Sequence, residues 1–349
     1  MKYFQLYASC TPVKGSKRST ICDLERRDYH YIPNMLFTLL TEYKSMTLSE
    51  IKTTFGSENY EVIDDYYDFL IQYELGFFSE TAAESWPDIQ ENWESPWKLS
   101  NAILDIDNYS DYDLADLVKQ LTEIGCYEIQ LRIFGENVTG YPILEVLRVI
   151  QNSPIRALSI IAPYNYGSKY IDDLVNEPRV HRIMFFNAKD NRSESLSNGR
   201  LRLQLSTSNE VSPEYCGDCS ADFFVPELDF HLEAKQFNSC LNRKVSVDTN
   251  GSIKNCPSLK QEYGQIKKKF LSRVIEQKDF QQIWKITKDQ IEVCRDCEHR
   301  YICPDCRAHT INGSLGKPSS CLYDPYSATW NALAEEKIRK QIHVDCIYK

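Results

Sequence analysis

Cys240-Leu241-Asn242-Arg243-Lys244-Val245-Ser246-Val247-Asp248-Thr249-Asn250-Gly251-Ser252-Ile253-Lys254-Asn255-Cys256 precedes Cys294-Arg295-Asp296-Cys297-Glu298-His299-Arg300-Tyr301-Ile302-Cys303-Pro304-Asp305-Cys306, and a lone Cys321 follows. The spacing reads C-x10-G-x4-C, then C-x2-C-x5-C-x2-C, then C. Four thiolates close one tetrahedral zinc site or one cubane iron–sulfur site. Seven such cysteines imply two centres, so this stretch is expected to be a domain built around metal. Lys244 to Lys254 predicts a hairpin with Asn250-Gly251 as a type I′ turn, which brings Cys240 near Cys256. The x2 and x5 gaps let Cys294, Cys297 and Cys303 share a centre, and the last cysteine of such a run can serve a second cluster. Zinc and iron–sulfur both fit these thiolate sets.

The 349 residues allow two or three domains, and 42% hydrophobic with 26% charged residues suits a soluble globular chain. Met1-Lys2-Tyr3-Phe4-Gln5 has no basic n-region leading into an apolar run, so no signal peptide is expected. No run approaches the roughly 18 apolar residues of a membrane helix. These absences predict a cytoplasmic protein with no membrane partner, in a compartment where clustered thiols bind metal rather than form disulfides. The net charge of −10 argues against nucleic acid as a partner, and Lys267 to Lys269 reads as a solvated helix face. Cys10, Cys22, Cys126 and Cys346 have no partner spacing and read as plain thiols.

Residues 1–79 read as one unit. Tyr3–Leu6 and Tyr29–Ile32 look like strands of a hairpin around a basic loop, and a helix with Leu36, Leu39 and Leu40 on one face follows Pro33. Thr47-Leu48-Ser49-Glu50 predicts a capping box at a second helix. A third, from about Tyr60 to Tyr73, carries Val62, Ile63, Tyr66, Phe69 and Leu70, with Gly76 as its C-cap and Phe77-Phe78 opening a strand. This order is a winged helix. Its third helix bears Glu61, Asp64, Asp65 and Asp68, which phosphates would repel, so capture of a peptide on an open strand edge is the better reading. In element order the unit resembles the PqqD-like recognition element, which binds leader peptides of ribosomally made, modified peptides.

Residues 80–97 form an acidic linker whose Trp86, Trp93 and Trp97 predict packing against a domain surface. Over 98–234, strands (Ala102–Ile106, Tyr127–Phe134, Ala157–Ala162, Arg182–Phe186, Arg200–Leu205, with Phe223–Val225 as a further candidate) alternate with helices at Leu114–Ile124, Ile143–Ile150 and Tyr170–Val175. Alternation of this kind predicts parallel strands with crossover helices. Too few strands precede Cys240 for a closed eight-fold barrel, so a partial, open α/β barrel is expected.

The cysteine pattern over about 235–325 resembles the SPASM domain that follows radical-SAM enzymes acting on peptides, whose pattern is C-x9–15-G-x4-C, C-x2-C-x5-C-x3-C and C. The departure is Cys306, at x2 rather than x3 from Cys303. The resemblance implies a SPASM domain over 235–349 and two [4Fe–4S] clusters. One would be held by Cys294, Cys297, Cys303 and Cys321. The other would be held by Cys240, Cys256 and Cys306 with Cys219 (or Cys216) as fourth ligand.

A radical-SAM enzyme also needs C-x3-C-x2-C after the first barrel strand. That loop here, Asp107-Asn108-Tyr109-Ser110-Asp111-Tyr112-Asp113, has no cysteine, and the motif occurs nowhere in the chain. No S-adenosylmethionine site and no radical chemistry are therefore expected. Phe134-Gly135-Glu136 reads as a vestige of the Gly-Gly-Glu turn of that superfamily. Winged helix, partial barrel without the radical motif and SPASM domain together resemble the SPASM-domain peptide maturases of grasp-with-spasm systems. That resemblance implies a precursor-peptide partner and an ATP-grasp ligase partner, with this chain binding the leader and presenting the core. The alternative is an enzyme using its own clusters for redox or Lewis-acid chemistry on the peptide.

No catalytic residue is assigned. The carboxylates of 107–113 could form an acid–base pair but fit a solvated loop better. His299 and His309, beside cluster cysteines, could tune or ligate them. No phosphate-binding glycine loop is present, so ATP use would belong to a partner.

Overall fold

The computed structural model describes residues 2–82, 86–135, 138, 141–209 and 219–331. Its centre is an open eight-stranded sheet in the order β10-β11-β9-β8-β7-β6-β12-β13. The strands are β6 (Leu99–Asp107), β7 (Cys126–Phe134), β8 (Ala157–Pro163), β9 (Val180–Phe186), β10 (Arg192–Leu196), β11 (Leu201–Leu205), β12 (Lys244–Val247) and β13 (Ile253–Lys254). The six inner strands run parallel, and β10 and β13 join antiparallel at the edges. The fold is therefore mixed α/β. No helix among the described residues is long and apolar enough to cross a membrane.

Before the sheet, β1 (Tyr3–Leu6), β2 (Cys10–Val13), β3 (Ser19–Asp23) and β4 (Asp28–Ile32) lead into α1 (Asn34–Thr41), α2 (Leu48–Phe55), α3 (Tyr60–Gln72) and β5 (Gly76–Ser79). The Thr47/Glu50 capping box forms as expected. Other details differ from the sequence reading. Tyr3–Leu6 pairs with β5, and Tyr29–Ile32 lies in β4 of a three-stranded antiparallel sheet β2-β3-β4, with the basic stretch connecting β2 to β3. Every residue of β3 is buried, so no alternation marked it as a strand. On α3 the core face is Ile63, Tyr67 and Leu70, while Val62 is exposed. The turn after α3 is made by Glu74 at φ 50°. Gly76 instead lies in β5, where a Cβ would sit 2.3 Å from the Gln5 carbonyl oxygen.

The linker packs as its tryptophans imply. Trp93 is buried and donates to Asp229 (2.9 Å), and the guanidinium of Arg243 lies over its ring. Arg243 also donates to the carbonyls of Ser95 and Trp97.

In the central sheet, α4 (Leu114–Ile124) begins at Asp113, whose carboxylate accepts the Asp116 amide, and ends at the left-handed Gly125. Together α4 and α5 (Pro142–Ile150) cover one face through an apolar core that includes Leu104, Leu131, Ile160, Ile183, Leu117 and Val146. The opposite face carries polar rows set by the strand register. Lys244, Asn101 and Glu128 lie side by side, then Ser246, Ile103, Gln130 and Ser159, then Asp105, Arg132 and Ile161. Two sequence expectations fail here. Phe223–Val225 is no strand, Phe223 closing a short 3-10 turn. The 248–252 turn is not type I′, because only Gly251 has a positive φ (76°). Asp248 wins that turn by accepting the amides of Asn250 and Ser252 with one carboxylate oxygen.

Candidate metal centres

Cys294, Cys297, Cys303 and Cys321 line one cavity, together with Lys288, Arg300, Lys317 and Tyr323. Local backbone brings them there. Cys294 opens a short 3-10 turn closed by the Cys297 amide on the Cys294 carbonyl (3.0 Å). Cys303 is drawn back by its amide bond to the His299 carbonyl, and Cys321 by its amide bond to Pro318. Val293, just before Cys294, adopts φ 67°, a strained conformation for a β-branched residue. Burial pushes the Cys294 thiol up to about 12. The ammonium of Lys288 lies 3.4 Å from Cys303 Sγ and donates to the Pro304 carbonyl (2.8 Å).

Cys240, Cys256 and Cys306 form the second group, within electrostatic reach of one another. Burial raises Cys306 to about 12, and backbone amides of Ala308 and His309 bond to its sulfur. The ammonium of Lys244 is 3.5 Å from Cys240 Sγ. Burial opposes its charge, but the fields of Cys240 and Cys256 outweigh burial and leave its pKa raised. Arg132, held by Asp105 through two bonds of 2.7 and 2.6 Å, adds a second buried cation near Cys256. Asp305, wholly buried between Cys303 and Cys306, takes bonds from Asn238 (2.6 Å) and Arg307 (2.8 Å). It thereby ties the two thiol groups into one scaffold.

Cys219, which the sequence reading placed with Cys240, Cys256 and Cys306, has a contact with the first group. Its thiol makes its sulfur contact with Cys303, where hydrogen bonding raises Cys219 and lowers Cys303, and it lies 3.4 Å from the Pro304 carbonyl. Cys216 lies outside the described residues, as do Cys346 and Glu136. Cys10, Cys22 and Cys126 are buried, and every described cysteine is free of disulfides.

The donor chemistry fits metal. Soft thiolates grouped four and three suit iron–sulfur clusters or zinc. Thiols that burial has pushed up must lose their protons to a metal, so loading would release protons. A buried ammonium beside each group offsets the negative charge that a thiolate-ligated centre carries.

The first group is also joined to the N-terminal unit. Arg18 donates to Glu298 (2.8 Å) and to the Tyr323 hydroxyl (3.2 Å), and its guanidinium lies 3.4 Å from the centre of the Tyr31 ring. The Tyr323 hydroxyl donates to Glu298 (2.5 Å). His299 sits between Cys297 (Nδ1 to Sγ 3.7 Å) and the Tyr31 hydroxyl (Nε2, 3.0 Å), and burial lowers its pKa to about 4. Two backbone bonds, Ser16 to Asp296 and Lys17 to Pro325, complete the junction. Lys244, Lys288, Arg18 and Glu298 were not singled out in the sequence. For Lys244 the available signal was a lysine opening a strand that is otherwise Val-Ser-Val.

In the 107–113 loop the carboxylates hold structure. Asp107 accepts from the Tyr109 amide and Ser110 hydroxyl, Asp111 pairs with Lys267, and Asp113 caps α4. Gly135 has φ 128°, with Asn108 packed against it.

No family model and no curated protein matches the chain. Among solved structures it is similar to SuiB from Streptococcus suis in two complexes. In the one bound to S-adenosylmethionine the identity is 9%, the TM-score 0.39, and 92% of this chain and 99% of that chain are covered. In the one bound to precursor peptide SuiA the values are 10%, 0.40, 92% and 100%. It is also similar to BtrN in an open conformation, at 11% identity and TM-score 0.34 over 57% of this chain and 92% of that one. At these TM-scores the likeness settles neither fold nor function.

Proposed function

We propose that this chain is a maturation protein for a ribosomally made peptide, in which a SPASM-type domain with two [4Fe–4S] clusters presents the core of a precursor whose leader is held by a winged-helix unit at 1–79. The observation that carries the reading is the sorting of the seven motif cysteines, five of them buried, into two groups, each with a buried lysine against it. Cys294, Cys297, Cys303 and Cys321 would hold one cluster, and Cys240, Cys256 and Cys306 three corners of the other. When bound, such clusters supply electron storage and a rigid staple for the surrounding loops. The core would then be offered to an ATP-grasp ligase, since this chain has no phosphate-binding loop of its own.

Leader capture is supported by the edge of β4. That strand pairs only with β3 among the described residues, and His30 on it packs against Phe69 of α3 and Tyr73 just after it. Tyr66 and Phe69 are half-buried and Tyr73 is exposed, which leaves an aromatic stripe beside an unpaired backbone edge. An extended peptide can add to such an edge and seat alternate side chains on the stripe. Calorimetry on the full chain with a precursor peptide encoded beside it, and with its leader alone, tests this. Both should bind, and Phe69→Asp should weaken binding at least tenfold; leader affinity untouched by that substitution removes the leader-capture assignment.

A further inference from the structure

Each thiol group has one buried lysine against it, Lys317 of the first cavity being only half-buried, a feature that the cysteine spacing does not announce. Lys244 is 8% exposed and Lys288 4%. Their ammonium groups stand 3.5 Å from Cys240 Sγ and 3.4 Å from Cys303 Sγ. The two arrive by unrelated routes. Lys244 opens β12 and is placed by strand register beside Asn101, whose β6 is paired in turn with Glu128 of β7. Lys288 begins a 3-10 turn behind the Thr287/Gln290 capping box and is held by the Pro304 carbonyl. Lysine is almost never fully buried without a partner for its charge. Lys288 has the buried Asp305 carboxylate at 4.0 Å and Lys244 feels Glu128, yet each ammonium stands at hydrogen-bond range of a sulfur of its own group, and that repeated placement points to a task set by the sulfur.

We propose that Lys244 and Lys288 set the reduction potentials of the two centres, each acting on its own. The inference deepens the iron–sulfur reading and depends on it. One-electron reduction by a low-potential donor adds one negative charge to a cluster and breaks no bond. A fixed ammonium at hydrogen-bond range of a ligand sulfur stabilises that added charge, and hydrogen bonds to sulfur together with net charge are what tune such potentials. The hydrogen bond to sulfur is short-ranged and the Coulomb energy falls with distance, so each ammonium acts most strongly on the centre it touches. Lys244 therefore acts on the centre of Cys240, Cys256 and Cys306, and Lys288 on the centre of Cys294, Cys297, Cys303 and Cys321.

The experiment is a potentiometric titration with dithionite, followed by electron paramagnetic resonance, on the reconstituted full chain and on Lys244→Met and Lys288→Met. Each variant should lower the reduction equilibrium constant of one signal at least tenfold, ~59 mV for a one-electron couple, and leave the other unmoved. Lys244→Arg and Lys288→Arg should restore most of the shift. Variants with wild-type iron and sulfide whose two constants stay within threefold overturn the assignment. Should a methionine variant lose its cluster, protein carrying ε-15N-lysine and Lys317→Met, which removes the other lysine of the first cavity, decides: nitrogen hyperfine coupling at both reduced centres upholds the proposal, and its absence overturns it. Zinc in place of iron in the wild type overturns both this inference and the reading beneath it, whereas intact clusters with unmoved potentials overturn the inference alone.

Discussion

Arg18→Met should loosen the N-terminal unit from the metal-bearing region. Glu298 is wholly buried, and one of its oxygens accepts from both Arg18 Nε (2.8 Å) and the Tyr323 hydroxyl (2.5 Å). Methionine removes the guanidinium from over Tyr31 and leaves the carboxylate with a single neutral donor. Breaking a buried ion pair from one side costs about 3–5 kcal/mol. Arg18 keeps 29% of its side-chain surface in water, which argues for the low end, about 3 kcal/mol. The amides of Ser16 and Lys17, bonded to Asp296 and Pro325 across the junction, report its opening. At 1.36 kcal/mol per factor of ten, their native-state hydrogen exchange should quicken about a hundredfold. Adding Glu298→Gln to the variant should recover part of the loss, because the stranded charge is gone. Exchange at both amides within threefold of wild type in Arg18→Met would refute the clamp.

Two further outcomes follow from buried charge. His231 is 1% exposed, neither ring nitrogen has a hydrogen-bond partner among the described residues, and burial with nearby Lys235 and Arg300 lowers its pKa to about 3. The folded state thus binds fewer protons than the unfolded state between about pH 3 and the ordinary histidine value of 6.5. Its share of stability is complete above that value and is lost as pH falls, by about 2 kcal/mol at pH 5; urea titrations at pH 7 and pH 5 should show His231→Phe with a correspondingly shallower dependence. Asp105→Ala strands Arg132 in the polar face of the sheet and should cost about 3–5 kcal/mol in the same assay, while Asp105→Leu with Arg132→Met should recover most of it.

What the sequence made legible follows from how local each signal is. The capping box at Thr47 and the turn at Gly125 depend on a few adjacent atoms, and both form where the residues ask for them. Strand β7 announces itself by alternation, Ile129, Leu131 and Ile133 lying in the apolar core and Glu128, Gln130 and Arg132 in the polar rows. β3 was hidden because burial on both faces erases alternation. Asn250-Gly251 suggested the wrong turn because Asp248, two residues earlier, competes for its amides. Spacing could group Cys294, Cys297 and Cys303, which lie close along the chain. The position of Cys219, 84 residues before Cys303, depends on tertiary packing that no spacing encodes. The same holds for the lysines: a buried cation is recognisable only once the sulfur beside it is in place.

Iron, acid-labile sulfide and zinc measured together on anaerobically purified protein, with Cys256→Ser and Cys297→Ser beside the wild type, test the two-centre claim most directly. Two cubane clusters require about eight irons and about eight sulfides per chain, and each substitution should remove roughly half. Stoichiometric zinc without sulfide, or wild-type iron retained in Cys256→Ser, would contradict it.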